Sequence, residues 1–461
     1  MKRNPSRRKF LAGTAAIGAG VAVAMTGSAQ EKQEKKVDPS FNKDFQAPGK
    51  CFMDQYYEGM LQIAKDIRAT QIGNIAKAME KAYELKQKGG KIYSHVLLGH
   101  FAMFAGSPEI PGQPNLLPQR VDRKTKEDFD AMKKGDFLFT NGLGGVKAAR
   151  DKGVYVVGIT NNYVTTAKTP PGALSRMDVK IEDSCDMVID SQMPWYNGLV
   201  NAPQIPQFRI IPSSGNAMFL VYWACTASLA SLVGTKGKGS STEPAERYLD
   251  LAIERFQMIG TDRPKIDRVS EKWADLVLGE KARFLVYGHP QQVEPYEGTK
   301  NMFVNEAYIV ASGTMIADLY ERMANEMRKN DILLIGGITS DNADEIKVAR
   351  HGRSAEAYTT AFCPFAAAGD SSGERLFKEV DSAFNTYSDE SEGVLSIPGF
   401  PKKICPLTGL TGNFVHWMLM AQWTDHMARR GEMPYFWKGY HENGGKEFDD
   451  LAEAIYKKRG Y

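Results

Sequence analysis

Cysteine is sparse and unpatterned in this chain. Cys51, Cys185, Cys225, Cys363 and Cys405 are spread over 461 positions with no C-x-x-C pair, which excludes a disulfide framework and a cysteine zinc site. A single disulfide remains open. G-x-G-x-x-G spacing is also absent. Gly142-Leu143-Gly144-Gly145 follows a strand-like run, yet it lacks the dinucleotide fingerprint, and no cofactor is expected. No His, Asp and Glu group has metal-ligand spacing. His416 and His426 fall far apart on one apolar helix pattern, so no metal is expected. Acidic residues are missing from positions 1–30, which hold five of the 58 Lys and Arg. Without that segment, 53 basic side chains face 55 acidic ones, a net charge of −2. The slight basicity of the chain therefore belongs to its start. No basic stripe is left for a nucleic acid, which is excluded as a partner.

What stands at the start is a cationic segment (Lys2, Arg3, Arg7, Arg8, Lys9) followed by an Ala- and Gly-rich apolar run, Phe10 to Met25. That run is about 16 residues, short of the roughly 20 that cross a bilayer. Small residues Gly27, Ser28 and Ala29 follow, where a peptidase can cut. Ser6-Arg7-Arg8-Lys9-Phe10-Leu11 resembles the twin-arginine export motif. The expectation is a cleaved signal peptide over 1–30, a periplasmic or otherwise exported product, and no stable membrane anchor. Residues 31–50, charged and then Pro- and Asn-containing, read as a flexible leader.

The mature chain of about 430 residues suits two or three domains. Tyr56 to Leu85 repeats apolar residues at helical spacing until Lys88-Gly89-Gly90. Short apolar runs then read as buried strands: Lys91–Leu98, Phe137–Thr140, Val154–Thr160 and Asp186–Asp190. A helix from Val146 to Lys152 separates two of them. Such alternation predicts a parallel sheet covered on both faces. The order then repeats. Arg283–His289 echoes Val96–His100, and Lys329–Ile335 echoes Lys134–Thr140. Phe400-Pro401…Pro406-Leu407-Thr408-Gly409 echoes Ile205-Pro206…Pro212-Ser213-Ser214-Gly215. Three echoes in one order predict an internal duplication. It comprises a first domain over 51–235, a linker over 236–244 and a second domain over 245–461. The apolar helices Ala217–Leu232 and Phe414–Met427 can pack the halves together, and a homodimer is compatible with them.

The first half resembles a sugar isomerase (SIS) domain. The carrying residues are Gly90-Lys91-Ile92-Tyr93…Gly99-His100, Lys134-Gly135-Asp136-Phe137-Leu138 with its Gly-rich turn, Ala148 to Thr160, and Cys185-Asp186-Met187-Val188-Ile189-Asp190. With a weaker second half, the resemblance extends over residues 50–461. It implies an α/β fold with two flavodoxin-like three-layer α/β/α sandwiches and parallel sheets. It also implies a sugar or sugar-derivative ligand at the strand C-termini, with aldose–ketose isomerisation as the associated reaction. A non-catalytic sugar-binding or sensing protein is the alternative.

In this family a hydroxyl-bearing turn between strand and helix holds a phosphate, using free amides and the positive end of the helix dipole. Here the first turn is Thr140-Asn141-Gly142-Leu143-Gly144-Gly145, with one hydroxyl. The second is Gly336-Gly337-Ile338-Thr339-Ser340-Asp341-Asn342, followed by Asp344 and Glu345. Acids at that helix start repel phosphate. The substrate-binding candidates are Thr140, Asn141, Gly142, Thr339 and Ser340, with Ser213 and Ser214 before an apolar helix, where capping is the competing role. Proton transfer between adjacent carbons needs a base and an acid. His100 and His289, both ending a first strand after Gly, are the catalytic candidates. Glu294 and Glu306 join them, in a helix-like segment after His289 where related isomerases carry a catalytic Glu.

Overall fold

The computed structural model describes residues 50–95, 114–117, 125–142, 145–161, 180–194, 197–205, 209–288, 296–297, 300–301, 306–309, 321, 323–365, 375–388, 393–434 and 445–461. Residues 1–30, read as an export signal, nearly all of the expected leader, and the candidates His100, His289 and Glu294 lie outside the described residues.

The helical pattern expected over Tyr56–Leu85 forms two helices, α1 (Phe52–Thr70) and α2 (Ile72–Gln87). The break has a local cause. Thr70 Oγ1 donates to the Asp66 carbonyl (2.7 Å), and Gln71 leaves helical geometry at φ −108°, ψ −8°. After α2 come β1 (Ile92–His95), α3 (Thr125–Ala131), β2 (Phe137–Thr140), α4 (Val146–Asp151), β3 (Tyr155–Ile159), the single turn α5 (Ile181–Ser184) and β4 (Met187–Ile189). An antiparallel pair, β5 (Gly198–Val200) and β6 (Ile210–Pro212), leads into the long helix α6 (Ser214–Gly234).

The second half runs through the same order. Helices α7 (Glu243–Ile259) and α8 (Arg263–Glu280) precede β7 (Phe284–Gly288). A small antiparallel pair, β8 (Tyr296–Glu297) and β9 (Lys300–Asn301), comes before β10 (Glu306–Ile309) and β11 (Ile332–Gly336). Then follow α9 (Ala343–Ser354), β12 (Tyr358–Cys363) and β13 (Ser382–Asn385). The isolated bridge Leu395–Ile404 stands where β5 and β6 stand in the first half, and α10 (Thr408–Arg429) matches α6. Helix α11 (Gly445–Arg459) closes the chain.

All pairings in the two large sheets are parallel. The second has the order β10-β7-β11-β12-β13, the 2-1-3-4-5 order of flavodoxin-like folds. The first runs β1-β2-β3-β4, which correspond in turn to β7, β11, β12 and β13. The halves also share their polar fastenings. Asp136 accepts the amides of Lys91 (2.8 Å) and Lys133 (3.0 Å), and Asp331 accepts those of Arg283 (3.2 Å) and Arg328 (2.8 Å). Asp186 accepts the Val156 amide (2.8 Å), and Asp381 that of Thr359 (2.7 Å). Each carboxylate ties neighbouring parallel strands at their N-terminal ends.

One apolar core crosses both halves, and each sheet's outer face has a smaller one. Helix α6 packs on α2 of its own half and on α7 and α10 of the other; α10 packs on α8 and on α1. Exchanging the halves maps these pairings onto one another, so the inner helices form a pseudo-two-fold layer between the sheets. Every residue of α6 from Ser214 to Leu232 is buried. All five cysteines are free thiols.

Candidate functional site

In an open parallel sheet the crevice lies outside the strand C-termini, where the strand order reverses. In the second sheet that point is between β7 and β11, and its counterpart in the first is between β1 and β2. There His95 and Thr140, each ending its strand, are paired in register.

Around them the first sheet's C-terminal edge is densely polar. Thr140 Oγ1 accepts the Gly142 amide (3.0 Å) and shapes the turn that begins at Asn141. Asn141 is fully buried; its carbonyl accepts the Asn161 amide group, and its own Nδ2 lies 3.8 Å from Met218 Sδ, one turn into α6. Thr160 Oγ1 donates to Asp190 Oδ1 (3.0 Å) and accepts the Ser191 amide (2.9 Å), while Ser191 Oγ donates to the Thr160 carbonyl (2.8 Å). The Asp190 amide donates to Gln71 Oε1 (3.0 Å). Gln71, at the α1–α2 break, thus stands against the end of β4. Chemically, this edge offers hydroxyl, amide and carboxylate groups side by side.

His95 adds a close contact with a carboxylate. Its Nε2 lies 3.1 Å from Asp128 Oδ2 of α3, with the two side chains 13% and 8% exposed, and Phe129 stacks on the imidazole at 5.4 Å. Neither residue stood out in the sequence. The only signal was position, because His95 ends a strand opposite Thr140.

The second edge is built differently. Asn342 Oδ1 accepts the amides of Asp344 (3.0 Å) and Glu345 (3.2 Å), so side-chain capping occupies the donors at the start of α9 that an anion would need. Ser340 is fully buried, its hydroxyl accepting Arg375 Nη1 (3.0 Å) and its carbonyl the Leu376 amide (2.7 Å). Thr339 is half-buried beside it. Burial pushes the Glu345 carboxyl up to about 8, with Asp344 and Asp341 adding repulsion against only one amide donor, Ile338. At the switch point Gly288 pairs with Gly336, where a Cβ on Gly288 would stand 2.7 Å from the Gly336 carbonyl.

Ser213 and Ser214 sit at the start of α6, both fully buried. Ser213 Oγ donates to the Asn197 carbonyl (2.7 Å), and Asn197 Oδ1 accepts the amides of Ser213 (3.0 Å) and Ser214 (2.8 Å). Glu306 is not on a helix as its surroundings suggested. It opens strand β10, opposite Leu285, because Glu306–Ile309 fills the outer position beside β7. The structure therefore gathers Thr140, Asn141 and Gly142 at one edge and Thr339 and Ser340 at the other.

His416 is buried in α10, and desolvation lowers it to about 3, which makes it a neutral core residue. His426 instead faces α8, with Nε2 2.9 Å from Asp267. Among the described residues no group of three His, Cys, Asp or Glu could hold a metal ion. A cavity of about 410 Å3, lined by Ser396–Pro398 and Phe400–Lys403, contains none of the strand-end residues.

No protein-family model and no curated protein matches the sequence. Among solved structures, the C-terminal domain of glucosamine-fructose-6-phosphate aminotransferase from Francisella tularensis is similar at 11% identity. The match covers 79% of this chain and 96% of that one, with a TM-score of 0.46. A protein described as sugar-binding from Salmonella typhimurium LT2 is similar at 11% identity, over 80% of this chain and 99% of that one, with a TM-score of 0.47. A phosphoheptose isomerase from Francisella tularensis, at 13% identity, covers 40% of this chain and 98% of its own, with a TM-score of 0.28.

Proposed function

We propose that the chain binds a sugar or sugar derivative at the C-terminal edge of its first parallel sheet. One observation carries the reading. Thr140, Asn141, Thr160, Asn161, Asp190 and Ser191 bring hydroxyl, amide and carboxylate groups together along the C-terminal ends of β2, β3 and β4. Polyols are recognised by such mixed donors and acceptors. The SIS-like motifs of the sequence point to the same ligand class. The capped start of α9 and the carboxylates of Asp341 and Asp344 speak against a phosphate at the second turn.

A second reading, an aldose–ketose isomerase, is favoured by the His95–Asp128 pair, since moving a proton between adjacent carbons needs a positioned base. Both are tested by thermal-shift screening of the mature chain against neutral sugars, aminosugars and sugar phosphates. Neutral sugars or aminosugars are expected to stabilise it, and Asn161→Ala or Asp190→Asn to remove the shift. Stabilisation by phosphorylated sugars alone would overturn the ligand class. For the isomerase reading, His95→Ala should abolish interconversion of the bound sugar while keeping the thermal shift. Export of this binding protein by the twin-arginine route is part of the proposal. An Arg7→Lys/Arg8→Lys variant should remain in the cytoplasm, as fractionation would show.

A further inference from the structure

The sugar reading leaves the carboxyl of Glu345 unused, although it lies beneath the turn at the second sheet's switch point. The residue is 2% exposed. Oε1 receives only a long bond from the Ile338 amide (3.4 Å), and Oε2 has no hydrogen-bond partner among the described residues. The turn backbone lies directly over it, so that a Cβ on Gly337 would stand 2.8 Å from Oε2. Asp341 of the turn and Asp344 of α9 face it with like charge, and Tyr287 of β7 feels its charge in return. From β12, Cys363 lines the same floor, together with Leu376. The nearby cation, Arg375, is engaged with Ser340 and lies 3.9 Å from Asp341. A carboxylate at this place would be dehydrated and poorly solvated by donors. A carboxylic acid is tolerated.

We propose that the Gly336–Asp341 turn closes over Glu345 only while its carboxyl is protonated, which makes the order of Thr339 and Ser340 proton-linked. Burial raises this carboxyl from 4.5 to about 8, and an opened turn returns it to water and its ordinary range. Opening therefore releases a proton when the pH lies between those two values. The open form gains about tenfold per pH unit inside that window and nothing further above it.

Amide hydrogen exchange on the whole mature chain reads this directly, as protection factors for residues 336–341 corrected for the intrinsic rate. In the wild type, protection should fall about tenfold per pH unit up to roughly pH 8 and then level off. Glu345→Gln should hold protection constant across the same range. Asp341→Asn/Asp344→Asn removes two like charges and should move the levelling point to lower pH; this variant carries the test if Glu345→Gln does not fold. Constant protection in the wild type, a Glu345→Gln profile that follows the wild type, or an unmoved levelling point would each overturn the proposal. No sugar enters the experiment, so its failure leaves the ligand reading untouched.

Discussion

Lys281, Asn330 and Glu356 hold left-handed backbone at φ +55°, +68° and +56°. At the matching places of the first half stand Gly89, Gly135 and Gly153, at +86°, +91° and +85°. The two halves need the same turns, and only the first meets them with the residue that has no Cβ. A side chain in this region costs about 1–2 kcal/mol, less for Asn, and a glycine's extra chain entropy offsets part of the gain. Lys281→Gly and Glu356→Gly should therefore each stabilise the fold by up to about 1 kcal/mol, and Asn330→Gly by less. Glu356 also loses its ion pair with Lys329, but both side chains are 65% exposed and the pair contributes little. Urea midpoints compared with wild type check the ranking, and a loss of stability at Lys281→Gly would refute it. His416 belongs to the same scale. Its Nδ1 has no partner among the described residues, so His416→Phe should leave stability unchanged or raise it, measured by thermal unfolding.

At the level of elements, the start of α6 depends on a residue outside the helix. Asn197 supplies the acceptor for the amides of Ser213, just before the helix, and of Ser214, its first residue, a task usually given to the residue just before the helix. Asn197→Ala should cost about 1–2 kcal/mol in chemical unfolding, while Ser214→Ala should cost less because its hydroxyl has no partner among the described residues. This cap also shows which parts of the protein could be read from the sequence. Phe137–Thr140 appears as a strand with the expected bounds, and Tyr155–Ile159, Phe284–Gly288 and Ile332–Gly336 shift by only a few residues at their ends. Local apolar runs define those elements. The break at Gln71 escapes, because the apolar spacing runs straight through it and the partner of its side chain, the Asp190 amide, lies far along the chain. The helix-like pattern after His289 misleads, because β10 is selected by pairing with β7 rather than by its own periodicity. The site behaves alike. Thr140 and Asn141 follow from a strand-to-turn motif, whereas the His95–Asp128 contact, the Asn197 cap and the isolation of Glu345 arise only when distant segments meet.

The whole molecule turns on the layer of helices between its two sheets. Helix α6 is long and apolar enough to cross a membrane, with a mean hydropathy of 1.6 over a window that is 89% buried inside the protein. A helix apolar on all sides needs neighbours on all sides. Its own half provides α2 and α1, and α7 and α10 of the other half supply further cover, just as α1 also helps to cover α10. Each half thus completes the other's core, and neither buries its longest helix alone. Cutting the chain between Lys236 and Lys238, in the exposed turn after α6, separates the halves without touching a core residue. Expressed alone, residues 50–236 should bind a hydrophobic dye and unfold without a cooperative transition, because one side of α6 is left bare. Co-expressed with residues 237–461, they should co-purify as a one-to-one complex that unfolds in a single step. A sharp, cooperative transition from either half alone would show that the shared layer is an interface between independent domains rather than a common core.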